Sequence, residues 1–287
     1  MTTDPTDRLA RTVREQVSLG RIVPLGSAGD TSWITESAAV RVLRRACAAM
    51  PQARLGAVGL GPADPGTAAD AEAGPDTGTG AGTRTGAGAG TAAQGGTGTR
   101  TRPGTTGVAP VAGAPMGALP HVPVRIGAAF EAAADEPLPA TADRLRGVLW
   151  AAARDLLGIA VAAVDLTVTG LLEEEFPVAG WPQEPWEGPA ARVTVPDPYR
   201  PLEVAALAVP GVAGLTGRLA GFAPGLRVRD TAEPGRPPAR LVQVQIAVAP
   251  GLVPLRVARE VVTAVTAAAA PGAPGPVTAV VVVTEAE

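Results

Sequence analysis

The sequence predicts an α+β fold: two pseudo-repeated small domains, each a sheet with helices, interrupted by a Gly/Thr-rich insertion. Three observations predict it. Apolar residues alternate with period two around Val124 and again around Val244, each time followed by a Pro-started helix and a second apolar run. The two runs repeat the same order of elements. Between the first predicted helix and the first alternating strand lies a tract with no means of forming a core. The organisation expected is an N-terminal helical segment (1–25), a first α+β repeat (26–60 and 120–175), the insertion (61–119), a Pro/Trp-rich linker (176–199) and a second α+β repeat (200–287).

Residues 7–19 carry Leu9, Val13 and Val17 at i, i+4, i+8, with Arg8, Arg11 and Arg14 on other faces and Gly20 as a stop. Such a basic helix either packs on its own domain or lies on a membrane surface. Thr35 stands as N-cap to a second helix over 36–50, whose Ala39, Val40, Leu43, Ala46, Cys47 and Met50 form one apolar stripe ended by Pro51. Cys47 on that stripe is a structural thiol, because no His shares the segment.

Within residues 74–107 there are 12 Gly and 10 Thr and no aromatic or branched aliphatic side chain, so the tract is expected to be disordered. Lengthening a loop this way costs only about 2 kcal/mol in closure entropy, so the flanks can share a domain. The Gly runs are not a phosphate cradle, since no strand leads in and no helix follows.

Order resumes at His121. Val122, Val124, Ile126, Ala128 and Phe130 alternate as a half-buried strand. After Pro139 a helix presents Ala142, Leu145, Val148, Leu149, Ala152 and Leu156, and Gly158 closes it in the left-handed region. A strand follows with Val164, Leu166 and Val168 on one face and Asp165, Thr167 and Thr169 on the other. Residues 176–201 hold seven Pro with Trp181, Trp186 and Tyr199. These aromatic residues are either partner-docking groups on an extended ligand or a linker packed on the domains. In the second repeat Val242, Val244, Ile246 and Val248 match the strand around Val124. A helix from Pro254 turns Val257, Ala258, Val261, Val262 and Val265 inward, and "AVVVVT" from Ala279 matches "AVDLTVT" from Ala163.

The stretch "LPATADRLRGVLWAAARDLLGIAVAAVDLTVTGL", preceded by "VPVRIGAAF", resembles the alkaline-shock or envelope stress response protein family. Leu157-Gly158-Ile159 stands for that family's Thr-Gly-Leu stop without its Thr; Val209 to Val212 matches its Val-Pro-Gly-Val turn, and residues 50–55 match it in degraded form. The resemblance implies a self-associating, envelope-linked protein with no catalytic role, whose partners are itself or a small membrane anchor protein.

The chemistry-bearing residues agree with a non-enzymatic reading. The chain has no Lys and no Asn, a composition typical of a GC-rich genome such as an actinobacterial one, and zero Lys removes Schiff-base chemistry and the phosphate-loop Lys. One His and one Cys exclude a Cys/His zinc cluster and a disulfide. A net charge of −3 argues against a nucleic-acid partner. His121 is expected at the surface, and Glu173, Glu174 and Glu175 form a solvated acidic turn. No catalytic, metal or cofactor site is predicted. With no apolar leader and Pro271, Pro274 and Pro276 breaking the most apolar window, the expected location is the cytoplasm, with membrane contact only through a partner.

One segment is left with two readings. Val277, Val280, Val281, Val282 and Val283 form an uncharged β-branched run that is ordinary core as an interior strand, or a self-association template as an exposed edge.

Overall fold

The computed structural model describes residues 18–63, 113–172, 193, 195–219, 225–232, 235 and 237–286. The 7–19 helix, apart from Ser18 and Leu19, lies outside them, as do the Gly/Thr tract, Glu173 to Glu175, Trp181 and Trp186. The described chain is mixed α+β with two sheets.

Two short strands the sequence reading did not anticipate come first, β1 (Ile22–Pro24) and β2 (Ser32–Thr35). Every residue of both is buried, so neither shows the half-polar alternation by which a strand is read from sequence. Helix α1 (Glu36–Cys47) begins where Thr35 was expected to cap it. The Thr35 hydroxyl instead donates to the Thr284 carbonyl at 3.3 Å. Glu36 takes over the local backbone, accepting from Arg21 N at 3.0 Å and from Leu60 N at 2.7 Å. Besides Ala39, Val40, Leu43 and Cys47, α1 buries Ala38 and Val42, because it touches strands of both sheets.

The smaller sheet has the order β3 (Ala53–Pro62), β4 (Val124–Ala133), β5 (Val161–Leu172), with β3 antiparallel and β5 parallel to β4. On β4, Val124, Ile126, Ala128 and Phe130 are buried as their alternation requires. The crossover from β4 to β5 is α2 (Leu138–Ala151), continued by a π-helical turn, Ala152–Leu157. The wider turn advances the inward face by one residue. Leu157 is therefore fully buried and Leu156 is 45% exposed, the reverse of the expectation from an uninterrupted helix. Gly158 ends the turn at φ 78°, where a Cβ would stand 2.5 Å from the Leu255 side chain.

After a single 3-10 turn (Asp197–Tyr199), α3 (Arg200–Leu207) leads through the Pro210-Gly211 turn to β6 (Val212–Leu215). Then come β7 (Leu226–Thr231), β8 (Ala239–Val248), α4 (Pro254–Ala269) and β9 (Val277–Glu285). The larger sheet runs β1-β2-β9-β8-β6, with β7 also on β8. β9 is parallel to both β2 and β8.

Of the two readings of Val277, Val280, Val281, Val282 and Val283, the interior strand holds and the self-association edge is corrected. β2 occupies one side of this strand and β8 the other, and Val280 to Val283 are 0% exposed, with Val277 half-buried. The reason is the unanticipated N-terminal pair of strands, which supplies β9 with a neighbour. One apolar cluster joins Ile126 and Phe130 of the smaller sheet, Leu43, Leu149 and Leu157 of the helical layer, and Ile246, Val281 and Val283 of the larger sheet. The larger sheet buries its other face too, with Leu19, Ile22, Trp33, Leu219, Val280 and Val282 packed together. No helix among the described residues is long and apolar enough to cross a membrane.

Candidate functional site

Strand edges are where a sheet can recruit another chain, and the described edges differ sharply in how they are guarded. β7 carries Arg227, Arg229 and Asp230 in six residues. β6 has four residues and β1 three, one of them Pro24. β3 ends in Pro62, carries a register shift between Leu55 and Val58, and has its Leu60 carbonyl bonded by Arg21 Nη1 at 2.8 Å and its Leu60 N–H bonded by Glu36.

β5 lacks such protection. It is twelve residues long, without Pro and with one charged side chain, Asp165. No described strand pairs with the edge it turns away from β4. Among the described residues Arg146 of α2 reaches this strand, its Nε donating to the Val164 carbonyl at 3.3 Å. Asp165 is ion-paired with Arg125 of β4, which holds its carboxyl below the usual carboxylate range. The first half of β5 is covered by α2, burying Ala162 and Val164; the second half runs past the helix and leaves Val168 42% and Leu171 58% exposed. Large apolar side chains on an open edge are what β-strand addition uses.

The sequence reading placed Val168 on one face with Val164 and Leu166 and gave Leu171 no role. The signal for both was the length of the apolar run beyond the end of the helix that covers it. Of the aromatic docking candidates only Tyr199 is described; it is half-buried against the core.

His121, expected at the surface, lies with its ring 5.0 Å from that of Trp33 in an edge-on contact. Burial lowers its pKa, opposed by the charge of Asp30 and a hydrogen bond to the Ser32 backbone. His121 Nε2, Trp33 Nε1 and Ser32 Oγ are buried without a hydrogen-bond partner among the described residues. Asp30 joins the β1–β2 turn to α4: Arg259 donates to both its oxygens at 2.7 and 2.9 Å, and the Ser27 N–H donates at 2.8 Å. These contacts, led by the Arg259 hydrogen bonds, lower the Asp30 pKa to about 2. Cys47 is buried and its thiol is pushed up to about 11 by desolvation. Among the described residues no three His, Cys, Asp or Glu side chains are grouped to hold a metal ion.

No protein-family model matches the chain, and no curated protein or solved structure matches it.

Proposed function

We propose that this chain is a non-enzymatic scaffold acting through protein–protein contacts, of the envelope-stress kind that residues 34–60 and 122–172 resemble, and built from two copies of one unit. The order helix, antiparallel strand, central strand, crossover helix, parallel strand describes α1-β3-β4-α2-β5, and it also describes α3-β6-β8-α4-β9, where β7 is an addition on β8. Any approach to an envelope runs through a protein partner. The observation that carries the reading is the edge of β5, which no described strand pairs, with Val168 and Leu171 exposed beside it. A ligand held between the two units is the weaker reading, because Gly158 of the first lies directly against Leu255 of the second within a continuous core.

The test is a photo-crosslinking residue placed at Leu171 in cells producing the full chain, with the same residue at Arg229 on the charged β7 edge as control. Protein adducts several-fold more abundant from position 171 are expected. Absence of adducts there, or equal yields from both positions, overturns the reading.

A further inference from the structure

We propose that residues 113–121 form a strap across the outer face of the larger sheet, and that the strap is released when His121 takes up a proton. The device belongs to the larger sheet and does not depend on the β5 edge.

The strap is built of small residues laid over large ones. At its start the Gly113 carbonyl accepts from Gln243 Nε2 at 3.3 Å, and a Cβ on Gly113 would collide with the Leu241 side chain. Ala114 and Ala118 pack on the cluster of Leu19, Ile22, Trp33, Val280 and Val282. Ala118 bridges to Ile22 and the Leu119 N–H donates to the Ile22 carbonyl at 2.8 Å, so the strap also occupies the side of β1 that β2 does not use. Its release leaves the neighbouring pairing in place. β4 meets β3 from Val124 opposite Pro62, and the Ala63 N–H donates to the Pro123 carbonyl at 3.0 Å, beyond the last residue of the strap. A segment attached in this way can open as a local unit while the rest of the chain stays folded.

His121 fastens the end of the strap. Its ring meets that of Trp33 edge-on at 5.0 Å, and one ring nitrogen is hydrogen-bonded to the Ser32 backbone. Nε2 is buried with no hydrogen-bond partner among the described residues, so Nδ1 is the donor to Ser32 and the neutral ring is the one that fits. A proton on Nε2 adds a buried donor with no acceptor among those residues and sets a charge beside an apolar cluster. In the released strap, water satisfies the same N–H.

The groups around the ring do not compensate. From β2 it meets Trp33, whose Nε1 is itself a buried donor without a described acceptor, and the Ser32 carbonyl, which also takes the Leu25 N–H at 3.0 Å. From the β1–β2 turn the charge of Asp30 favours the imidazolium, but Arg259 of α4 and the Ser27 N–H already hold its oxygens. β1 and the remainder of the strap carry no ionisable side chain. Burial outweighs Asp30 and holds the fastened imidazole below its ordinary 6.5. Opening is therefore constant above pH 6.5, increases as pH falls below it, and levels off below the pKa of the fastened ring.

Hydrogen exchange of the full chain at pH 7 and pH 5, read by mass spectrometry and corrected for the intrinsic pH dependence of exchange, tests the device. Protection of peptides covering 113–121 is expected to fall several-fold at pH 5, while that of peptides covering 277–285 is unchanged. His121→Phe and His121→Gln are expected to abolish the fall. Equal strap protection at the two pH values in the natural chain overturns the proposal, whatever the variants do. An undiminished fall in His121→Phe and His121→Gln also overturns it, since another group then titrates. So does a fall of the same size over 277–285, which would be unfolding of the whole chain.

Discussion

β9 and β5 hold the same place in the connectivity of their sheets: each leaves a crossover helix and runs parallel to the strand before that helix. Their surroundings are opposite. β9 has a strand on each side and a packed cluster on each face, and Val280, Val281, Val282 and Val283 are fully buried. Among the described residues β5 has one strand neighbour, and it has one face bearing Asp165, Thr167 and Thr169 and a second half that outruns its helix. The difference is written in the side chains. An unbroken β-branched run marks a strand enclosed on both faces, and apolar–polar alternation marks one with an open face. What the alternation does not record is whether the strand's edge is occupied.

The largest way to break the comparison is one charge in each strand. Val282→Asp buries a carboxylate among the apolar side chains packed on the outer face of the larger sheet and is expected to cost about 4 kcal/mol or more, abolishing the cooperative transition. Val168→Asp, at a site 42% exposed, is expected to cost about 1 kcal/mol or less. Urea denaturation followed by circular dichroism measures both; similar midpoints for the two variants would contradict the assignment of β9 as enclosed and β5 as open. Next in size is Trp33→Ala. Trp33 is 1% exposed on β2, the strand that closes the β9 edge, and its loss is expected to cost about 3–5 kcal/mol by the same measurement. Leu171→Ala on β5 is expected to change stability by about 0.5 kcal/mol or less.

Much of this contrast was legible before the fold was known. Val124, Ile126, Ala128 and Phe130 gave β4 by alternation, and Val257, Ala258, Val261 and Val265 gave the inner face of α4 by helical spacing. The one-residue shift from Leu156 to Leu157 was not legible, because a π turn obeys hydrogen bonding against neighbours and leaves no mark in apolar spacing. β3 was missed because Gly56, Gly59 and Gly61 dilute its pattern. β1 and β2 were missed because short strands buried on every side carry no period. That last miss had a consequence. With β2 unseen, the Val277 to Val283 strand could be read either as interior core or as an edge, and nothing local decided between them. The candidate site depends on strand order, which is a long-range property that local patterning does not encode.

Smaller effects sharpen how the larger sheet is tied to the helical layer. Gly158→Ala forces an L side chain to φ 78° and against Leu255, and about 1–3 kcal/mol of destabilisation is expected. Gly127→Ala on the open face of the smaller sheet meets nothing within 4 Å and is expected to be neutral or slightly stabilising. Thermal melts of the two variants side by side distinguish a glycine required by conformation from one that is not.

Asp30→Asn removes the carboxylate that Arg259 holds. Its side chain is 12% exposed while that of Arg259 is 54% exposed, so solvent screens the pair and a loss of about 1–2 kcal/mol at neutral pH is expected. The folded carboxyl titrates near 2 against 3.8 for its ordinary value, so the unfolded chain binds more protons between those limits. The stabilisation is complete above pH 3.8 and is lost as pH falls toward 2. Denaturation of the natural chain and Asp30→Asn should therefore converge in this window, and a constant gap down to pH 2 would show that the Arg259 contact does not set the carboxyl's titration.

The smallest effect expected is that of His121, because two influences on its ring oppose each other. Burial against Trp33 disfavours the imidazolium, whereas Asp30 and the hydrogen bond to the Ser32 backbone favour it; burial prevails and the folded pKa lies below 6.5. The folded chain then binds fewer protons than the unfolded chain just below that pH, so stability is full above 6.5 and declines as pH falls through the folded pKa. His121→Phe keeps a ring against Trp33 without a titrating group and should flatten the melting temperature between pH 7 and pH 5. Since Asp30 is still ionised throughout that interval, its own loss at lower pH stays separate. Asp30→Asn in turn should steepen the His121 decline, because it removes the charge that favours the imidazolium. A slope unchanged by His121→Phe would place the ring in solvent, and with it would fall the packed outer face that distinguishes the larger sheet from the smaller.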